Sequence, residues 1–333
     1  MKMRIKTEVI FAILLTFCFF GLNGCNKKKP RVYRIGIITG TAAYEEIVNS
    51  FKNKMKELNY RESENIEYDL HLANNHYEEE QILQKFVSDK VDLIFAFPTD
   101  PAIAAKKAAS GTNIPVVFTM AGIESNDLIE SILKPGGNIS GVRFPNTEIS
   151  AKRLEILKEL IPNARRVYLI YDPNYPNAIV ALDCLNQSAP ELGIELVKET
   201  VNNLNDLERV LNQRGQLEDI GIDAIFILPE LLTQSPKGFE MIMKFANEKK
   251  LAVCGAMPFT SENGAVFSMA PDRAEMGRES AIIVDKIFNG VPAGEIMVVT
   301  PGIRLIINYD SISKLGLTVP EGLLDRADMI IGQ

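Results

Sequence analysis

Continuous apolar runs alternate along this chain with stretches whose apolar positions recur at helical spacing. Ile35-Gly36-Ile37-Ile38 has no polar break, as expected of a strand covered on both faces. From about Tyr44, residues Ile47, Val48, Phe51, Met55 and Leu58 fall on one side of a helix, and Asn59–Ser63 reads as a loop. The cycle repeats with a strand at Ile66–Leu72, a helix at Glu78–Ser88 and a strand at Val91–Phe97. Pro98-Thr99-Asp100-Pro101 then halts the strand and leads into a helix over Ala102–Ala109, followed by a strand at Ile114–Thr119. Strand-helix alternation of this kind predicts an α/β fold built on doubly wound parallel sheets.

The pattern is then played a second time. Arg166–Tyr171 answers the first strand, Ile194–Val197 the second, and Ile222-Asp223-Ala224-Ile225-Phe226-Ile227-Leu228-Pro229 answers Val91-Asp92-Leu93-Ile94-Phe95-Ala96-Phe97-Pro98. Leu251–Cys254 answers Ile114–Phe118 at the same offset of about 130 residues, too long for a solenoid unit and suited to a duplicated domain. Leu133–Ile149 reads as the crossover between the halves, with helix from about Ser150 to Leu160 beyond it. A last strand over Gly264–Met269 leads through Ala270-Pro271-Asp272 into a helix over Arg273–Asn289. The expected layout is two lobes joined by a multi-strand hinge. Lobe 1 holds residues 32–145 plus about 270–295, and lobe 2 holds 146–269 plus about 296–333.

In open parallel sheets ligands sit outside the carboxyl ends of the strands, where loops and helix starts offer unpaired N–H groups. Position alone therefore nominates Thr39 to Tyr44, Pro98 to Asp100, with Thr99 and Asp100 as its polar members, and Thr119 to Glu124 in the first half. In the second half it nominates Asn177, as a helix-start residue, and Glu230, which matches Asp100. Thr39 and Thr99 carry hydroxyls suited to a carboxylate, and Tyr44 suits stacking on a planar group. Thr99 is equally an ordinary turn or cap residue, and Tyr44 equally a residue of its own core. Asp272 opens a helix, where a carboxylate is favoured by the macrodipole and also suits pairing with an amino group.

The amino terminus adds an address. Lys2, Arg4 and Lys6 precede an apolar stretch over Val9–Gly21, and Leu22-Asn23-Gly24-Cys25 follows. This is similar to a bacterial lipoprotein signal: residues 1–24 are expected to be removed, Cys25 to take the lipid, and residues 25–31 to form a tether. With Lys2, Arg4, Lys6 and Glu8 gone, the formal charge would pass from −7 to −9, and no basic footprint for nucleic acid exists. His71 and His76 are expected at the surface with no metal site. Cys184 and Cys254 are expected as unrelated small hydrophobes.

Several motifs together resemble the tryptophan/tyrosine-type substrate-binding lipoproteins of ABC transporters. They are Ile35-Gly36-Ile37, Pro115–Phe118, Pro135-Gly136-Gly137-Asn138-Ile139-Ser140-Gly141-Val142, Gly277-Arg278, Ile307-Asn308 and Leu315-Gly316-Leu317. The resemblance covers nearly all of the chain after the leader, and the Pro-Gly-Gly-Asn run is its most specific part. It implies a type I periplasmic-binding fold, two lobes joined by three crossings, closing on a small amino-acid-like ligand, aromatic ones included. It also implies that Thr99, Asn177 and Asp272 face the ligand's carboxylate or amine. Relatives often carry His-Pro after the first strand and Asn-Ser at the second-lobe helix start, where this chain has Thr39–Tyr44 and Asn177-Ala178.

The expected function is therefore a lipid-anchored extracytoplasmic receptor serving an ABC permease, with no cofactor. The alternative is a receptor feeding a membrane sensor. Catalysis is not expected: Gly136–Gly141 has Asn138 at the middle glycine of a dinucleotide loop, and Cys254 has no histidine base nearby in sequence.

Overall fold

The computed structural model describes residues 31–40, 44–124 and 126–332. Cys25, the leader, residues 25–30 of the tether and Thr41–Ala43 lie outside the described residues.

Two sheets carry the chain. The first is all parallel and joins β1 (Tyr33–Thr39), β2 (Ile66–Leu72), β3 (Leu93–Phe97), β4 (Val116–Ala121) and β5 (Ile139–Arg143) in the order β2-β1-β3-β4-β5. The second joins β6 (Arg166–Tyr171), β7 (Glu195–Thr200), β8 (Ala224–Phe226), β9 (Ala252–Gly255), β10 (Phe267–Pro271), β11 (Ile303–Asn308) and β12 (Met329–Ile331). Its order is β12-β11-β10-β9-β8-β6-β7, with β11 antiparallel to β10 and every other pair parallel. The run β7-β6-β8-β9 repeats β2-β1-β3-β4 strand for strand, as the echo in the sequence requires.

The connecting helices are α1 (Glu45–Glu57), α2 (His76–Ser88), α3 (Thr99–Ala108), α4 (Asn146–Leu160), α5 (Pro176–Ser188) and α6 (Leu204–Gly215). They continue with α7 (Leu231–Gln234), α8 (Pro236–Lys249), α9 (Pro258–Glu262), α10 (Arg273–Phe288) and α11 (Tyr309–Lys314). In β1, Ile35 and Ile37 join the cluster of Phe51 and Met55, while Ile38 joins Leu83 and Phe86 on the opposite face. That two-sided burial is why the strand has no alternation, whereas the edge strand β2 keeps Leu70 and Leu72 exposed.

Several boundaries move. Helix α3 starts at Thr99 rather than Ala102, because Pro101 falls in the first turn, where its missing N–H costs nothing. Helix α4 starts at Asn146 rather than Ser150. The supposed crossover is not plain linker: Ile139–Arg143 inside it is the fifth strand of the first sheet, entirely buried.

Three passages connect the sheets. The chain leaves β5 for α4 at Arg143–Asn146, leaves β10 for α10 at Pro271–Arg273, and returns from Val299, bridged to Val142 beside β5, into β11. Helix α10 thus follows a strand of the second sheet but packs on α1 and β4 of the first. Gly277 permits that approach, since a Cβ there would lie 2.1 Å from Ser50 Oγ and 2.4 Å from the Ile47 carbonyl oxygen. Gly277→Ala should lower stability by about 1–3 kcal/mol in urea titrations; wild-type stability would mean that α1 and α10 slide apart freely.

Candidate ligand-binding cleft

The carboxyl ends of the two sheets meet at a short list of side chains. Thr99, at the start of α3, accepts from Gly122 N at 3.0 Å and from the Asn177 side-chain amide at 3.4 Å. Asn177 belongs to the other half of the chain, and its carbonyl accepts from Asn146 Nδ2 at 2.8 Å. A single hydroxyl therefore ties the loop after β4 to the start of α5. Asn177 does not cap that helix as the sequence suggested. Tyr175 occupies the cap position without a side-chain cap, and Pro176 takes the first turn, leaving the Asn177 amide to reach across.

Tyr44 stands before α1 as Tyr175 stands before α5. It packs edge-on to Phe97 with ring centroids 6.0 Å apart, and the Arg273 guanidinium lies 5.4 Å from its ring centre. Burial raises its phenol pKa against the pull of Arg273. The Tyr175 phenol is raised also, first by burial and then by its electrostatic neighbours Tyr44, Asp100 and Glu230. Asp100 and Tyr175 line one small space with Thr99 and Asn177, and Tyr44 and Glu230 lie within electrostatic reach of the Tyr175 phenol. Asp100 is exposed in the first turn of α3. Glu230 is buried and caps α7, accepting from Leu232 N at 2.5 Å, from Thr233 N at 2.7 Å and from the Thr233 hydroxyl.

The other nominated residues are placed less directly. Thr39 is buried at the end of β1. Thr119 is fully buried, and its hydroxyl has no partner among the described residues, beside Met120 at φ 51° and a register shift between Phe118 and Ala121. Asp272 is already engaged on both oxygens. Oδ1 accepts from Ala274 N at 2.9 Å and Glu275 N at 3.3 Å, while Oδ2 pairs with Arg304 and lies 3.9 Å from Arg278. Pro98, Thr99, Asp100, Tyr175, Pro176 and Asn177 enclose only about 10 Å³, room for about one water.

Sequence reasoning missed three elements of this region. Tyr175 was legible in principle as the repeat partner of Tyr44. Arg143, nearly buried at the end of β5, donates to Thr300 Oγ1 at 2.8 Å, reaches Glu124 at 3.3 Å and pairs with Glu148, so it ties three passages of chain together. No local pattern announces it, nor Arg304, whose partner Asp272 is 32 residues away.

Two α/β halves meeting through their strand ends define a two-lobed solute-binding protein of the periplasmic type. The model of the family described as "ABC transporter substrate binding protein" matches residues 34–331, and the chain belongs to that family. It is 27% identical over 298 residues to a tyrosine-binding protein of Clostridioides difficile (strain R20291), covering 88% of this chain and 83% of that relative. Among solved structures it is similar to a conserved domain protein from Vibrio cholerae, with TM-score 0.76, 27% identity, and 91% and 100% of the two chains covered. It also shares its fold with a domain from Streptococcus pneumoniae in complex with L-Trp, with TM-score 0.76, 19% identity, and 90% and 100% covered. Substrate-binding proteins of ABC transporters are extracytoplasmic and are not enzymes, and no helix among the described residues is long and apolar enough to cross a membrane.

Burial pushes the Glu230 carboxyl up, outweighing its three donors. A raised folded pKa means that the stability contributed is full below the ordinary carboxylate value and is lost as pH rises through the elevated one. The melting temperature of wild type relative to Glu230→Gln should therefore fall as pH rises from about 4 towards neutral. A gap that widens with pH would refute the assignment.

Proposed function

We propose that this protein is the lipid-anchored solute receptor of an ABC importer and that it captures an aromatic amino acid between its lobes. The carrying observation is the 3.4 Å link between Asn177 and Thr99 across the two halves, in a space also lined by Asp100 and Tyr175, with Tyr44 at the position of the first half equivalent to Tyr175 and Glu230 capping the helix after β8. Two rings supply flat apolar surface for an aromatic side chain, and the acids supply a negative field for an amino group. Thr99 and Asn177, already linked across the gap, are placed to exchange their mutual hydrogen bond for a ligand carboxylate. Thr39 at the end of β1 and Thr119 in β4 furnish further hydroxyls. Asp272 serves at the rim, holding the start of α10 and Arg304.

The lobes in this reading are residues 32–145 with about 270–295 and residues 146–269 with about 296–333. The packing of α10 on α1 supports the division. Because the cavity at Thr99 and Asn177 holds about one water, an amino acid enters there only if the lobes swing apart. Closure over the guest then supplies the difference that a permease reads. Residues 1–24 act as the leader and Cys25 as the acylated anchor, in keeping with the relatives' extracytoplasmic placement.

L-tyrosine or L-tryptophan at about 100 times its dissociation constant should stabilise the protein by about 2.7 kcal/mol, while glucose and myo-inositol leave the melt unchanged. Tyr175→Ala should weaken the stabilising amino acid about tenfold or more by calorimetry. Stabilisation by a sugar and by no aromatic amino acid would sink the reading.

A further inference from the structure

The strongest unexplained group in the molecule is Arg153. It sits on α4, one of the largest side chains fully withdrawn from solvent at 1% exposure, and no carboxylate pairs with it among the described residues. Its Nη2 donates to the Ile227 carbonyl at 2.6 Å and to the Cys254 carbonyl at 3.2 Å, its guanidinium carbon lies 4.1 Å from the centre of the Phe226 ring, and its Nε is buried without a partner. A cation in that position is costly, because removing a guanidinium from water without an opposing charge is repaid only by hydrogen bonds and ring contact. An apolar side chain of similar length would fill the same space without that penalty. The place therefore asks for what only a guanidinium provides, a rigid planar donor long enough to serve two carbonyls.

Those two carbonyls mark the carboxyl ends of β8 and β9. Strand β8 stops at Phe226, and Ile227 is held by donating its N–H to the Cys254 carbonyl at 3.0 Å. The chain then runs Leu228, Pro229 and Glu230 into the cap of α7, with Gln234 Nε2 reaching back to the Leu228 carbonyl at 3.0 Å. Helix α4 itself begins at the first passage between the sheets, where Asn146 holds the Asn177 carbonyl. Arg153 thus connects the helix that starts at the hinge to the strand ends from which Glu230 projects.

We propose that Arg153 is a positioning residue: by holding the Ile227 and Cys254 carbonyls it fixes the segment 227–234, and with it Glu230, relative to the hinge helix. It touches no ligand in this account. The inference about ligand affinity rests on the function proposed above, but the inference about segment 227–234 does not.

Hydrogen exchange read by mass spectrometry on the whole mature protein tests it. In Arg153→Met the amides of 227–234 should exchange about tenfold faster or more, while those of β6 stay within about twofold of wild type. A purely structural role would speed β6 and 227–234 alike, and that outcome, or unchanged exchange at 227–234, overturns the proposal. Should Arg153→Met fail to fold, Arg153→Lys, which keeps a single cationic donor group, must show the same confined pattern to a smaller degree, and uniform exchange in it overturns the proposal equally. With L-tyrosine as the probe, Arg153→Met should bind about tenfold more weakly. If wild type does not bind L-tyrosine, that counts against the proposed ligand, and the exchange pattern alone decides on Arg153.

Discussion

Where β8 and β9 end, the chain has not yet left the core, and the carbonyls of Ile227 and Cys254 must find donors there. The same constraint recurs at the other strand ends that approach the gap between the sheets. Gly122 N is satisfied by the Thr99 hydroxyl, the first amides of α7 by Glu230 and those of α10 by Asp272. A parallel sheet cannot close these groups by a hairpin, so side chains and helix starts must do it. Polar side chains therefore stand at these strand ends, where the two sheets face each other. The chemistry available to a ligand is a by-product of satisfying the backbone.

That origin explains what was legible in the sequence. Strand and helix order followed from uninterrupted apolar runs and three-to-four spacing, because burial on both faces of β1, β3 and β4 leaves no polar position to confuse the pattern. Duplication followed from the repeated Val/Ile-Asp run, and the shared order β2-β1-β3-β4 and β7-β6-β8-β9 is its structural counterpart. Thr99, Asn177 and Glu230 were reachable because a strand end can be counted from a motif. Long-range pairs were not. Nothing adjacent to Arg143 in sequence indicates Thr300, and nothing near Arg153 indicates Cys254, because those meetings depend on how two packed layers lie against each other.

Asp272 shows how a correct location can carry more than one meaning. The sequence placed an acid at the start of a helix after the last parallel strand, and it is there. Its oxygens accept two helix amides and pair with Arg304, a set that nearly fills the capacity of a carboxylate. Asp100 differs in being exposed, while Glu230 is buried and engaged by three donors. Three acids at comparable strand ends thus differ in readiness for an incoming amino group. Readiness depends on what the backbone has already claimed, which composition cannot reveal.

The passages between the sheets carry the remaining step. Arg143 joins Glu124, Glu148 and Thr300 at the first and third passages, and Asp272 joins Arg304 between the second and third. In Arg143–Glu148 and Arg304–Asp272 one partner is largely withdrawn from water and the other is partly open, with Glu148 49% and Arg304 54% exposed, whereas Arg143 and Glu124 are both mostly withdrawn. Pairs with an exposed partner contribute about 0–1 kcal/mol each, too little to lock two lobes against a bound ligand. Moving a two-state equilibrium from one extreme to the other takes about 5.5 kcal/mol of differential affinity, within the range of a micromolar binder. A hinge held by such pairs would keep its geometry at rest and still yield to the modest energy a small ligand can supply.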